Sequence, residues 1–296
     1  MAAVTKMEKQ SKPSDNHSYL SFVIRRFRRH KLAVAGLVVV VLLVLVALLA
    51  PVIAPYNPND IGTDFQASPS ATHLLGTDAL GRDVVSRLIY GTRISLSVGV
   101  VSVGLYVSIG IILGAVAGYY GGIVDTIIMR VSDMVMAFPS LMLILVVVSL
   151  IGPSIYNVML VLGLLGWPQV TRIVRGEFLK LRGQDFVQAG RALGAPDVRL
   201  IFRHLLPNAL SPVLVAATFG TAVAILSEAA LSFLGMGVQP PTASWGNMLA
   251  DAQSLSILES MPWLWLPAGI AIFLSVLCIN FVGDGLRDAL DPRLKL

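Results

Sequence analysis

The sequence predicts an all-α membrane protein: six transmembrane helices, with a cytoplasmic helix–Gly–helix elbow held between the fourth and fifth. Three observations carry this prediction. Charged residues make up 13% of the 296 residues and apolar ones 55%, whereas a soluble domain carries about 25% charge. Uncharged apolar runs recur along the chain, each long enough for the roughly 20 residues that cross a bilayer as a helix. Lysine and arginine are concentrated in alternate connecting segments, as the positive-inside rule requires of a multi-span protein.

Residues 1–31 are polar and carry Lys6, Lys9, Lys12, Arg25, Arg26, Arg28, Arg29 and Lys31. The composition through Asn16 is that of a disordered segment. Residues 32–54 form the first span. This run is too long for the ~7–15-residue apolar core of a secretory signal. Pro51 and Pro55 follow the small residues Ala50 and Ala54 that would otherwise mimic a cleavage site. Residues 55–93 form an outer region that opens on the loop YNPND. An amphipathic helix is expected next, with Leu80, Val84 and Leu88 on one side, Thr77 or Asp78 as N-cap, and Asp83 four residues before Arg87. Its pattern suits a helix lying along the membrane interface.

Residues 94–283 form a core of five further spans. The second is Ile94–Val124. The third begins near Asp125 and crosses through Met134–Ile151, kinked at Pro139, with Asp125, Arg130 and Asp133 at its inner end. Tyr156–Val174, Ala209–Leu231 and Pro262–Val282 supply the rest, and the outer loop Gly235–Met261 contains no Lys or Arg. Residues 284–296 form a tail in which Asp284, Arg287, Asp288 and Asp291 read as a helix-end charge network. With both termini in the cytoplasm, only Arg82, Arg87 and Arg93 of the 22 basic residues lie outside.

The elbow occupies residues 184–207. A first helix is expected from Asp185 to Leu193, stopped at Gly194, where a left-handed C-cap residue belongs. Pro196 falls at the first turn of a second helix, where its missing N–H costs nothing. That helix places Val198, Ile201, Phe202 and Leu205 on one face, turns Arg199 and Arg203 away, and is closed by Pro207. A basic elbow between two spans is suited to docking a soluble partner.

Several chemistries are excluded. There is no G-x-x-x-x-G-K-[ST] phosphate loop, no H-E-x-x-H and no G-x-S-x-G. His17, His30, His73 and His204 are not at ligand spacing, and Cys278 is the single cysteine, so neither a metal site nor an intrachain disulfide is expected. The basic residues do not interleave with aromatics as in a nucleic-acid reader. No catalytic constellation is found. Glu228, in ILSEAALSFLG, is the one ionisable residue deep in a span. It reads either as a carboxylate hydrogen-bonded to a neighbouring element or as a residue of the translocation path. An ion-coupled secondary transporter would usually show a relay of such charges, and Glu228 stands alone.

The elbow resembles the EAA loop of bacterial ABC-importer permeases, whose signature is E-A-A-x3-G-x9-I-x-L-P. Gly194 and Leu206-Pro207 match it, while Gln188, Gly190 and His204 depart from it, leaving Ala189 as the retained centre of the first triplet. The stretches LGTDALGRDVVSRLIYGTRISL, RVSDMVMAFPSL, EAALSFLGMG and GDGLRDALDPR resemble the C-type permease of dipeptide, oligopeptide and nickel importers. The resemblance implies a type I ABC-importer permease fold in the bacterial cytoplasmic membrane. It implies a second permease subunit as heterodimer partner, two cytoplasmic ATPase subunits, an extracytoplasmic substrate-binding protein and surrounding membrane lipid. ATP and Mg would be held by the ATPases, and no cofactor by this chain. Phe186, Gln188, Ala189, Gly190, Arg191, Gly194, Arg199, Leu206 and Pro207 would form the coupling loop to the ATPase. Dipeptides or short peptides are the implied cargo, with nickel or another peptide-like substrate as the alternative.

Overall fold

The computed structural model describes residues 19–290, and the side chains from Val23 onward. The basic run Lys6, Lys9 and Lys12 and the tail residues Asp291, Arg293 and Lys295 lie outside the described residues. An apolar run can satisfy its whole backbone in a bilayer within itself by closing i→i−4 bonds, and the long apolar runs are helical. Among the described residues, five helices are long and apolar enough to span a membrane: α2 (Lys31–Ile53), α3 (Val84–Tyr120), α6 (Ile155–Leu181), α8 (Asp197–Phe233) and α11 (Pro262–Leu290). A sixth passage is broken into α4 (Gly122–Met136) and α5 (Ser140–Ile151). Short helices complete the chain: α1 (Tyr19–Arg29), α7 (Asp185–Ala192), α9 (Trp245–Leu249) and α10 (Leu255–Ser260).

The structure departs from the sequence reading in where helices begin, break and end. The amphipathic stretch near Val84 is not a separate interfacial helix, because α3 runs unbroken for 37 residues from there to Tyr120. Its N-cap is Asp83, whose Oδ2 accepts from the Ser86 N–H at 2.8 Å and the Ser86 hydroxyl at 2.7 Å, not Thr77 or Asp78. Pro139 does more than kink the third span: α4 and α5 meet at 85° across it. The residues after Val282 continue α11 to Leu290, where Asp288 lies 3.9 Å from His30 Nε2.

The most extensive helix packing among the described residues is between α3 and α6, and small residues allow a close approach there. Gly110, Gly114 and Gly118 recur every fourth residue on α3 and face Val170, Val174 and Phe178 of α6. A Cβ added at these glycines would come 2.6, 2.6 and 2.5 Å from the Cβ atoms of those three residues. Helices in lipid associate through such close van der Waals packing, since lipid is as apolar as leucine. The same side of the bundle carries two ion pairs between α4 and α6. Arg175 grips Asp125 with two nitrogens, one of them 2.6 Å from Oδ2, and Arg172 reaches Asp133 at 2.5 Å. These partners account for two of the charges expected at the inner end of the third span.

At the opposite end, the segment before α3 is bound down by polar contacts. Asp78 accepts from Arg82 Nε at 2.7 Å and lies 3.3 Å from Arg87 Nε, while His73 Nδ1 sits 2.9 Å from Asp83 Oδ1. Asp251, on the 3-10 turn after α9, joins this group. Burial first, and the neighbouring Asp78 carboxylate second, push its pKa up to about 6 against the pull of Arg87 and Arg82. The folded state therefore holds this proton more tightly than the unfolded chain. The resulting stabilisation is complete below the ordinary aspartate value of 3.8 and is lost as pH rises through about 6. Asp251→Asn is thus expected to raise the unfolding temperature at pH 7.5 and to give no gain near pH 4, as read by thermal unfolding in detergent at both pH values.

Candidate functional site

The corner between α7 and α8 is set by one glycine. Gly194 has φ +76°. Its N–H donates to the Arg191 carbonyl at 2.9 Å, and the next N–H, of Ala195, donates to the Gly190 carbonyl at 3.0 Å. This pair of bonds is the Schellman termination of a helix, which requires a left-handed residue at that position. Pro196, with φ −66° and ψ 150°, then leaves helical geometry and caps α8 rather than opening its first turn.

The second half of the elbow differs from the expected short helix. It is the beginning of α8, which runs without interruption from Asp197 to Phe233. Leu200–Leu205 forms a π-helical turn, in which the Leu206 N–H reaches back to the Ile201 carbonyl. Pro207 therefore does not close the unit; it sits in the turn that follows the widened one. Asn208 Nδ2 donates to the His204 carbonyl at 2.7 Å. The wider turn also changes which side chains share a face. Ile201 and Leu205 are buried together with Leu200, whereas Val198 and Phe202 are 66% and 64% exposed. The packing expected of Ile201 and Leu205 is present, and that expected of Phe202 is not.

The elbow is fixed to the bundle by an apolar cluster. Val187 of α7 and Leu200 and Leu205 of α8 are fully buried against Val174 and Phe178 of α6 and Tyr119 of α3. Polar contacts support it: the Tyr119 hydroxyl donates to Asp197 Oδ1 at 2.5 Å, and the Arg191 guanidinium lies 5.3 Å from the centre of the Tyr119 ring. Of the residues singled out from sequence, Gly190 faces inward, where a Cβ would approach Leu200 Cδ2 to 2.9 Å. Leu206 is half-buried. Gln188, Ala189, Arg191, Gly194, Arg199 and Pro207 are exposed, as is Phe186 at 45%. Gln188 Nε2 donates to the Arg182 carbonyl at 3.2 Å, a bond that an ionised glutamate cannot make because a carboxylate only accepts. Leu193 is 88% exposed at the tip of the corner. The elbow thus carries exposed side chains above a buried base.

A second feature lies in the middle of the bundle. A cavity of about 560 Å3 opens between α3, the α4–α5 break, α6 and α8. Tyr106, Met136, Phe138, Gln169, Phe219 and Ser227 contribute to its wall, and among the described residues no Asp, Glu, Lys or Arg does. Tyr106 is seated in two notches: a Cβ at Gly166 would come 2.7 Å from its ring and one at Gly220 only 1.6 Å from its hydroxyl oxygen. The volume falls within the ~300–1,000 Å3 typical of small-molecule sites.

Glu228 is not part of this wall. Of the two readings of this residue, its surroundings favour the carboxylate hydrogen-bonded to neighbouring elements: it is fully buried and accepts from three serine hydroxyls. Ser232 and Ser244 donate to Oε1 at 2.7 and 2.9 Å, and Ser95 donates to Oε2 at 3.2 Å. Each hydroxyl in turn accepts a backbone N–H, from Val238, Asn247 and Trp245 respectively. One carboxylate thereby pins the loop after α8 and the start of α9 onto α8 and α3. Removing it leaves three buried hydroxyls without an acceptor. Glu228→Ala is expected to cost about 1–3 kcal/mol, seen as a lower unfolding temperature, and Glu228→Gln is expected to leave cargo selectivity unchanged.

Sequence reasoning missed Tyr119, Val187 and Leu200, which help anchor the elbow, and the residues that line the cavity. The glycine stripe on α3 was visible as a four-residue repeat, and Gln169 as an amide within an apolar run. The pairing of Tyr119 with Asp197 spans 78 residues and left no local signal.

Comparison with known proteins adds the following. Residues 110–296 match the family of binding-protein-dependent transport system inner membrane components, and residues 18–73 match the N-terminal transmembrane domain of oligopeptide transport permease C. The chain is 44% identical to the di/tripeptide transport system permease protein DppC of Pseudomonas aeruginosa, covering 91% of this chain and 90% of that one. It is 40% identical to the dipeptide transport system permease protein DppC of Alkalihalophilus pseudofirmus, over 96% and 94%. Among solved structures, an inward-facing MetNI methionine ABC transporter chain superposes with a TM-score of 0.56 at 19% identity, covering 69% of this chain and 97% of that one. That likeness concerns the fold alone.

Proposed function

The chain belongs to the family of binding-protein-dependent transport system inner membrane components, and from that premise we propose that it conducts dipeptides and other short peptides as the permease subunit of an ATP-driven importer. The observation that carries the reading is mechanical. A single helix, α8, begins in the elbow, passes the cavity at Phe219 and Ser227, and is clamped at its far end through Glu228. At 37 residues it is about 55 Å long. A displacement applied to the exposed side of the elbow is delivered to the cavity wall through α8, and to α6 through the cluster around Val187 and Phe178.

In this account the elbow faces the cytoplasm, in keeping with Arg172, Arg175, Lys180, Arg182, Arg191, Arg199 and Arg203 around it. Two ATPase subunits hold ATP and Mg and dock on this elbow and on its counterpart in a second permease subunit. Phe186, Gln188, Ala189, Arg191, Gly194, Leu193 and Arg199 form this chain's share of that contact. An extracytoplasmic binding protein delivers cargo to the opposite face. Closure of the ATPases moves the elbows and shifts the bundle between inward- and outward-facing states. The uncharged cavity wall suits cargo whose side chains vary, with the Gln169 amide available to peptide groups. The relatives' names point to the same cargo class.

Affinity purification of the tagged chain in mild detergent, followed by mass spectrometry of the copurifying chains, tests the assembly. Recovery of a second permease and an ATPase supports it, and a chain that purifies alone from a membrane containing those subunits contradicts it. The cavity is tested by Gly220→Ala. The added methyl displaces Tyr106, whose ring is already held by Gly166, into the open space. Peptide uptake is expected to fall several-fold, and Tyr106→Phe in the same chain to restore most of it. With the hydroxyl oxygen gone, the nearest remaining atom, Cζ, would lie 2.9 Å from the added methyl rather than 1.6 Å.

A further inference from the structure

The helix before the first span carries a surface that the transport account does not use. Val23, Arg26 and Phe27 of α1 are half-buried, at the spacing of one helical face, as is His30 just beyond its end. His30, with φ −84° and ψ 90°, breaks the helix, and its Nδ1 accepts from the Ala33 N–H at 3.1 Å to start α2. Phe27 and Ala33 both lie on Gly285 of α11, where an added Cβ would meet them at 3.2 and 2.2 Å. The chain therefore turns at His30, and α1 rests against the end of α11.

The opposite face of α1 is basic and partly apolar. Arg25, Arg28, Arg29 and, at the start of α2, Lys31 are exposed. Ile24 and Leu32 beside them are 56% and 55% exposed. The sequence of α1, YLSFVIRRFRR, has no acidic residue. Arg25, Arg28, Arg29 and Lys31 form no ion pair among the described residues. The patch is continuous with the outward side of α2, where Leu37, Val38, Val41, Leu42, Leu45 and Leu48 are all exposed. An apolar helix face ending in guanidinium groups matches one kind of molecule, with acyl chains and a negatively charged head.

We propose that Arg25, Arg28, Arg29 and Lys31, flanked by Ile24 and Leu32, bind the phosphate headgroup of an anionic phospholipid whose acyl chains lie along α2. Basic side chains just beyond the end of a span attract anionic headgroups, and the exposed Ile24 and Leu32 beside them offer apolar surface to acyl chains. A nucleic acid or a soluble acidic protein would leave Ile24, Leu32 and the α2 face uncovered. The proposal rests on α2 crossing the membrane and is independent of what the permease carries.

Native mass spectrometry of the full chain, with whatever subunits copurify, tests it with added phosphatidylglycerol or phosphatidylethanolamine. The wild type is expected to retain phosphatidylglycerol about ten-fold better than phosphatidylethanolamine. Arg25→Gln/Arg28→Gln/Arg29→Gln is expected to lose that preference, and the three Arg→Lys changes to keep it. Inorganic phosphate at millimolar concentration is expected not to displace the lipid. Equal retention of the two lipids by the wild type, a preference that survives the Gln changes, or displacement by inorganic phosphate would each overturn the proposal. Should the Gln variant fail to fold, the wild-type lipid comparison and the phosphate competition still decide.

Discussion

Replacing Gly194 by Val is expected to abolish ATP-driven peptide uptake while the chain still inserts in the membrane. The cause is backbone conformation alone, since a Cβ at Gly194 meets nothing within 4 Å. At φ +76° an L side chain opposes its own carbonyl, at a cost of about 1–2 kcal/mol that β-branching increases. The corner relieves this by leaving the left-handed region. The Gly194 and Ala195 N–H bonds to Arg191 and Gly190 are then lost, and α7 swings relative to α8. The spans are untouched, so insertion and expression remain normal. Uptake is expected to drop more than ten-fold, with loss of the copurifying ATPase. Asn, which tolerates positive φ, is expected to retain a large part of the activity. Wild-type uptake by a normally inserted Gly194→Val chain would contradict the assignment.

The largest loss of stability is expected from Gly114→Leu. Gly114 is the middle of the stripe on which α3 meets α6. Even a methyl there would lie 2.6 Å from Val174 Cβ and 2.7 Å from the Thr171 carbonyl oxygen. Neither atom belongs to the flexible end of a side chain, so the two helices must separate. Separation also strains the neighbouring contacts at Gly110 and Gly118 and loosens the Phe178–Val187 base of the elbow. Overpacking alone costs about 1–3 kcal/mol or more, and a leucine multiplies the collision. The expected outcome is a chain that does not survive purification in detergent, with Gly114→Ala folded but of lowered unfolding temperature. Gly104→Ala on the same helix is the control. It has nothing within 4 Å of an added Cβ, and the better helix propensity of alanine makes it neutral or mildly stabilising.

These two glycines also show what could be read from the sequence and what could not. The Gly194 corner was legible because the pattern is local: an amphipathic run, a glycine where it stops, and a proline two residues later. The spans were legible for the same reason. The second half of the elbow was not, because a 3.6-residue period was applied to a stretch that closes a π-turn. That single change of helical pitch separates Val198 and Phe202 from Ile201 and Leu205 and carries α8 through Pro207. The start of α3 was misplaced because nothing in the residues around Val84 distinguishes an interfacial helix from the first turns of a longer one. Glu228 stood out as a buried carboxylate, yet its role depended on Ser95, a residue 133 positions away. The cavity is assembled from four elements distant in sequence, so no motif announces it.

The central claim is that ATP binding elsewhere drives peptide movement through this bundle by way of the elbow. Its most direct test is accumulation of a labelled dipeptide in proteoliposomes containing the copurified assembly and its binding protein. The account predicts uptake that requires ATP on the elbow side, persists when proton and sodium gradients are collapsed, and disappears with Gly194→Val. Uptake by this chain alone, driven by an ion gradient and indifferent to ATP, would contradict it.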